Sequence, residues 1–307
     1  AASEMEDVLT HEETEQNEGN PGDEELTLGE QSTTLADDTI ELTILHTNDL
    51  HSRIDDLGKV AAYIFAEREK AEHSLYLDAG DIFTGAPVND INLGKPIIDI
   101  LNAMELDAMA IGNHEFDYGQ YDFAERVKDS NFPWLSANMR VTGDIPIEQP
   151  EPYMLFEFDD FTVAVFSLLQ SPPATAPSGI VGLEFDGYVE TALKYKDELE
   201  EQADVIIALT HIGYQDDFKL AEEVDYFDAI IGGHSHTVLA PREVNGTTVT
   251  QAGSYASHVG KLNLSIDPET KEVVEVSGEL TAVNSLEETD EEVQAIIDRW
   301  NGQMDEI

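Results

Sequence analysis

Cysteine is absent from all 307 residues. That excludes disulfides and thiolate catalysis, and it leaves any bound metal to nitrogen and oxygen ligands. Basic residues are scarce too: 15 Lys and Arg stand against 65 Asp and Glu, a formal charge of −50. A polynucleotide needs a basic face to neutralise its phosphates, so nucleic acid polymers are excluded as partners, and anionic membrane surfaces are disfavoured for the same reason. Nothing approaches 18 consecutive apolar residues, so no segment reads as a membrane-spanning helix. Positions 1 to 39 have no aromatic residue, Lys or Arg, yet carry 13 Asp and Glu. So little apolar surface cannot offset the entropy of ordering the chain, and an acidic disordered leader is expected over 1–39. Ala1-Ala2-Ser3 ahead of such a spacer suits an exported protein after leader removal, and equally a cut made elsewhere.

Hydrophobic content of 41% supports a substantial core, in one large domain or two small ones. From Ile40 onward short apolar runs alternate with amphipathic stretches. Residues 41–46 read as strand, 57–70 as helix and 74–77 as strand; helices over 96–104 and 121–128 then alternate with strands over 108–111 and 134–137. This predicts parallel strands joined by crossover helices. Asp159-Asp160 between two apolar runs predicts a hairpin and the start of a mixed sheet. Helices over 189–202 and 219–224 alternate with strands over 205–209 and 229–231. Antiparallel strands follow over 238–282, with a turn at Asn245-Gly246. Thr289 and Glu292 predict a capping box for a terminal helix whose apolar stripe is Val293, Ile296, Ile297 and Trp300. The stretch from Ser171 to Gly179 is the one long loop in the body, either a site rim or plain surface.

Five short polar motifs each follow an apolar run: Asp49-Leu50-His51, Gly80-Asp81, Gly112-Asn113-His114-Glu115, Thr210-His211 and Gly233-His234-Ser235-His236. Asp49 and His51 lie two apart after a strand, where an extended backbone aims both the same way; the alternative is a polar turn. Asp81 follows a glycine that permits close approach, so its carboxylate can bridge two cations, or it is a plain strand-end Asp. Asn113 offers a neutral oxygen or caps a helix. Asp117 can fix the tautomer of His114 and raise its pKa, making His114 a proton donor to a leaving oxygen. His211 ends a buried run as a ligand or as a bonded edge histidine. His234 and His236 repeat the two-residue spacing after paired glycines. Together the seven ligands leave five strand ends, expected along one edge of a parallel sheet. They suit a two-metal phosphoesterase: hydrolysis needs the anion neutralised, a nucleophile made from water and an alkoxide helped away. His46 reads as structural, and His11, His73 and His258 fit no motif.

Read in order, these motifs resemble those of the calcineurin-like metallophosphoesterase superfamily, and the strings Ile44 to His51, Asp78 to Pro87, Ala110 to Gly119 and Leu135 to Asn138 look like the N-terminal catalytic domain of the 5′-nucleotidase family. The resemblance runs from about Glu41 to about Ala282. It implies an α/β fold, a four-layer αββα sandwich of two mixed sheets. It implies two divalent metal ions, Zn, Mn or Fe: one held by Asp49, His51 and His236, the other by Asn113, His211 and His234, with Asp81 shared. His114 and Asp117 match the catalytic dyad, and a hydroxide bridging the metals would attack phosphorus in line. The implied substrate is a small phosphate ester, a nucleotide first. The implied location is extracellular, periplasmic or cell-surface. Alternatives are diesters, nucleotide sugars or sulfur esters on the same site, or an acidic metal-binding protein without turnover. Relatives of the 5′-nucleotidase type also carry a C-terminal domain that supplies stacking aromatics and arginines. No counterpart is legible here, and Arg53 is one of only six arginines. The expected organisation is a leader over 1–39, a catalytic domain over 40–284 and a terminal helix over 285–307.

Of the 65 acidic residues 52 lie beyond position 39 with all 15 basic ones, so the folding part carries about −37. Self-repulsion of that size strains a compact state at low salt, while molar salt shortens the screening length to about 3 Å. The midpoint of thermal unfolding is therefore expected to rise steeply from low to molar salt. An unchanged midpoint would refute salt adaptation.

Overall fold

The computed structural model describes residues 39–304, so all of the expected leader except Thr39 lies outside the described residues. The first half gives β1 (Ile40–Thr47), α1 (Leu57–Lys70), β2 (His73–Asp78), α2 (Pro87–Ile91), α3 (Lys95–Ala103), β3 (Ala108–Ala110), α4 (Gln120–Asp129), β4 (Trp134–Leu135) and β5 (Met139–Val141). The second gives β6 (Tyr153–Glu157), β7 (Thr162–Leu169), β8 (Leu183–Phe185), α5 (Tyr188–Gln202), β9 (Val205–His211), α6 (Tyr214–Glu223), β10 (Ala229–Ile231), β11 (Val238–Val244), β12 (Thr247–Ala252), β13 (His258–Ile266), β14 (Val273–Ala282) and α7 (Glu291–Met304). They build two six-stranded mixed sheets, ordered β14-β13-β1-β2-β3-β4 and β11-β12-β10-β9-β7-β6.

Strand alternation makes three cores and hence four layers. On β7, Val163 and Val165 face the space between the sheets, while Ala164, Phe166 and Leu168 face the outer helices; on β9, Val205, Ile207 and Leu209 face inward and Ile206 and Ala208 outward. A third core packs α1, α3 and α7 on the outer face of the first sheet, through Leu45, Tyr76 and Met109. The result is helices, sheet, sheet, helices: the four-layer αββα sandwich. Val293 and Ile297 bury α7 in that outer layer against α1 and α3.

Several elements depart from the sequence pattern. α6 begins at Tyr214 rather than Lys219, because its first turn carries Asp216 and Asp217, which suit a helix N-terminus without adding to the apolar period. The short α2 and the β5–β8 ribbon escape the pattern altogether. The 238–282 strands do not stay together: β12 pairs parallel with β10, while β13 and β14 cross to the first sheet, β13 antiparallel to β1. At α7 the cap is Asp290, whose carboxylate accepts the Val293 N–H at 2.9 Å, in place of the Thr289–Glu292 box. The Asp159-Asp160 hairpin joins β6 to β7 as predicted.

His46 on β1 is fully buried, its ring lying over Gly260, and neither ring nitrogen has a partner. Burial pushes its pKa down to about 3, so the ring is neutral in the fold. An unfolded chain takes up that proton near 6.5, so the stability this group contributes is present above 6.5 and lost as pH falls toward 3. Between pH 7.0 and 5.5 the parent should lose about 1 kcal/mol more unfolding free energy than His46→Leu, read by denaturant titration at both pH values. Equal losses would mean the imidazole is hydrated or charged.

Candidate dinuclear metal centre

Every candidate ligand leaves the C-terminal end of a strand: Asp49 and His51 after β1, Asp81 after β2, Asn113 after β3, His211 at the end of β9, and His234 and His236 after β10. The edge is not that of one parallel sheet. β1 to β3 belong to the first sheet, β9 and β10 to the second, and the site forms where the two edges meet.

Nor does extended-strand alternation aim the paired ligands. Asp49, His51, Asp81, His234 and His236 all hold positive φ, from 44° to 78°. For non-glycine residues such backbone costs roughly 1–3 kcal/mol each and persists only where neighbours over-determine it. Here the loop after β1 zips onto the loop after β2: the amides of Asp49, His51 and Ser52 donate to the carbonyls of Gly80, Asp81 and Ile82 at 2.8, 3.0 and 2.9 Å. Glu115, fully buried, then ties the β2 loop to the β3 loop by accepting the N–H groups of Asp81 (2.9 Å), Ile82 (2.8 Å) and Gly112 (2.5 Å). Gly80 sits at φ +94° where a Cβ would come within 2.8 Å of both the Ala110 carbonyl and the Gly112 nitrogen, so only glycine fits.

The donor atoms form two groups, Asp49 with His51 and His236, and Asp81 with His211 and His234, each group's atoms within 4.8 Å of one another. In the first, His236 Nε2 lies 3.3 Å from Asp49 Oδ1 and 3.1 Å from His51 Nε2. In the second, His211 Nε2 lies 2.9 Å from Asp81 Oδ2, and Asn113 Oδ1 stands 3.2 Å from His211 Nε2 and 2.9 Å from His234 Nδ1. Asp81 Oδ2 is also 3.8 Å from His51 Nε2, so one carboxylate reaches both groups.

The hydrogen bonds around these atoms test whether a metal fits. His211 Nδ1 donates to the Ala79 carbonyl at 2.7 Å and His51 Nδ1 to the Thr84 carbonyl at 3.2 Å. In the neutral rings each Nε2 is then a lone pair, and it meets only further acceptors, carboxylate, amide oxygen or imidazole. Such a set needs positive charge between its members. Without metal, protons must supply it: burial opposes a charged His211, yet the Asp81 carboxylate beside it lifts the imidazole to about 10. Two divalent cations fit the same donors, which are the nitrogen and oxygen types favoured by Zn, Mn or Fe.

His114 flanks the first group, its ring 5.1 Å from that of His51 and its backbone N–H 2.8 Å from Asp81 Oδ1. Its Nδ1 pairs with Asp117 Oδ2 at 2.6 Å, a hydrogen bond that raises its pKa to about 9. The Ser171–Gly179 loop is a rim: the Ala174 carbonyl accepts from Asn113 Nδ2 at 2.9 Å, which turns Oδ1 toward the histidines. His73 and His258 stand apart from the site, against Phe158 and Ser257, and His11 lies outside the described residues.

Sequence reasoning gave no role to four residues that build the site. Glu115 is the loop clamp. Asn48 donates to Asp49 Oδ2 at 2.6 Å and to the Gly253 carbonyl at 2.7 Å. Gln251 braces the His234–His236 turn through the Gly233 carbonyl and the Thr237 N–H. Thr84 touches both His51 and Asp117. Glu115 had a signal as an acid inside the Gly-Asn-His-Glu motif, and Asn48 and Thr84 lie inside strings that carry the family resemblance.

Two mixed sheets between helical layers, with imidazole, carboxylate and amide donors grouped where their edges meet, define the metallo-dependent phosphatase architecture. The model of the calcineurin-like phosphoesterases matches residues 42–238, and the chain belongs to that family of hydrolases. It is 30% identical to the trifunctional nucleotide phosphoesterase protein YfkN of Bacillus subtilis (strain 168) over 87% of its length and 21% of that protein's. It is 31% identical to the snake venom 5′-nucleotidase of Naja atra, over 87% of this chain and 58% of that one. The chain thus spans well under two thirds of these relatives. The crystal structure of the calcineurin-like phosphoesterase YfkN from Bacillus subtilis superposes with a TM-score of 0.74 at 25% identity, covering 88% of this chain and 99% of that one.

If Asp81 joins the two groups, Asp81→Ala should lower bound metal from two ions per chain to fewer than one by elemental analysis of the zinc- or manganese-loaded protein. Two ions retained would overturn the bridging role.

Proposed function

We propose that residues 40–284, with α7 packed on them, form the catalytic unit of a dimetal hydrolase of phosphate monoesters, nucleotides first among its substrates. One observation carries this reading: two donor groups within reach of a single carboxylate, Asp81, with a carboxylate-bound imidazole, His114, at their side. The names of the relatives support it, one a nucleotide phosphoesterase and one a 5′-nucleotidase. The venom origin of the second supports an extracellular or periplasmic location. No described helix is long and apolar enough to cross a membrane.

Two divalent cations held by Asp49, His51, Asp81, Asn113, His211, His234 and His236 would supply charge against the phosphoryl oxygens and acidify a water for attack. The chain supplies the rest. The Ala79 and Thr84 carbonyls hold His211 and His51 in the tautomer that turns Nε2 inward. Asp117 holds the proton on Nδ1 of His114 and stabilises its imidazolium, so Nε2 carries a second proton toward the departing alkoxide. Nε2 has no protein partner among the described residues, which leaves it to the substrate.

His114→Ala should keep both metals yet lower kcat on a nucleoside 5′-monophosphate by roughly 10²-fold or more. Undiminished turnover with metals bound would remove His114 from the reaction. A panel of mononucleotides, simple alkyl phosphates, diesters and nucleotide sugars reads the substrate class directly.

A further inference from the structure

Thr84 lies between the acid dyad and the first ligand group and makes a separate bond to each. Its hydroxyl stands 2.9 Å from Asp117 Oδ2, the same oxygen that pairs with His114 Nδ1 at 2.6 Å. Its carbonyl accepts from His51 Nδ1 at 3.2 Å. Its own N–H donates to Tyr118 Oη at 2.9 Å, and that hydroxyl in turn donates to Asp90 at 2.6 Å. The backbone here is at φ +57°, a conformation that a β-branched residue avoids unless its surroundings enforce it. A threonine in such a place points to its side chain rather than to turn geometry, since glycine would relieve the strain.

The hydroxyl has one proton and two acceptors in reach, the Phe83 carbonyl at 2.8 Å and Asp117 Oδ2. An ionised carboxylate is the stronger acceptor. Resting on the reading of His114 as proton donor, we propose that Thr84 is a positioning residue: its hydroxyl fixes Asp117, and through it the aim of His114 at the leaving oxygen, while its carbonyl fixes the ring of His51. The two tasks fall on different atoms of one residue, so they can be separated. Thr84→Val removes the hydroxyl and keeps the carbonyl, the shape and the backbone.

The test uses the metal-loaded protein and two esters. An alkyl or nucleoside 5′-monophosphate leaves as a basic alkoxide that needs a proton; p-nitrophenyl phosphate leaves as a stable phenolate that does not. Thr84→Val is expected to lower kcat roughly 10-fold on the first and less than twofold on the second, with KM unchanged on both, since only aim and not acid is lost. Metal content should stay at two per chain, with the thermal midpoint unchanged. Thr84→Ser should restore the parent rate on the alkyl ester. Adding Thr84→Val to His114→Ala should cause no further loss. An equal loss on both esters, loss of metal, no rescue by serine, or a full additional loss in the double variant would each overturn the proposal. Parent protein with two metals bound but inactive on both esters would instead sink the phosphomonoesterase reading on which it rests.

Discussion

The site depends on a shortage of positive charge among buried acceptors. Asp49 and Asp81 are taken out of water almost completely. Each accepts from a neutral donor, Asp49 from Asn48 and the His234 N–H and Asp81 from the His114 N–H, but Asp49 Oδ1 and Asp81 Oδ2 also crowd the ring nitrogens of His236 and His211. Burying uncompensated carboxylates costs several kcal/mol, so the arrangement is stable only when cations, protons or metal ions, stand between them. The outer hydrogen bonds keep the deficit in place by using up the far nitrogens of His211 and His51. The chain thus prepares a place for positive charge, and a phosphate ester, the proposed substrate, is the kind of anion such charge would bind.

Holding such groups against one another also takes mechanical work, and the fold distributes it over three loops and two sheets. Five of the candidate donors sit on strained backbone, which no single loop could sustain alone. The β1 loop is pinned to the β2 loop through three backbone bonds, the β2 loop to the β3 loop through Glu115, and the β10 turn to β12 through Gln251. Because the β12 and β13 ends of the chain return to opposite sheets, the second half of the sequence closes both edges against the first. Strain at the site is therefore carried by the cores on either side, where Val, Ile, Leu, Ala and Phe fill both faces of β7 and β9.

That division explains what the sequence could and could not tell. The candidate donors were legible because coordination chemistry dictates residue type, and Asp49, His51, Asp81, Asn113, His211, His234 and His236 are spelled out at strand ends. The βαβ rhythm and the Asp159-Asp160 hairpin were legible because apolar period dictates burial. The mechanism of convergence was not. Spacing of two suggested extended strands, whereas Asp49 and His51 meet through left-handed turns, a property of tertiary bonds that local sequence does not encode. Nor does periodicity say which sheet a strand joins, so β12 and β13 could not be parted in advance. Thr84, Asn48 and Gln251 act through hydrogen bonds to groups distant in the chain, and such partners cannot be read from local sequence.

The surface charge raises an apparent contradiction, since the body carries about −37 yet the proposed substrate is an anion. Distance resolves it. In concentrated salt the exposed carboxylates are screened within a few ångströms, whereas charge inside the site acts through protein of low polarisability. The few basic side chains are mostly neutralised where they stand: Arg126 by Asp129, and Arg140 by Glu184 and Asp186. Arg53 differs. Two residues past His51, its guanidinium lies 5.4 Å from the centre of the Tyr255 ring, which itself packs 5.2 Å from the His51 ring, and it forms no ion pair among the described residues. An uncommitted cation this near the candidate donors would offer the proposed anionic substrate local attraction that the acidic chain as a whole does not.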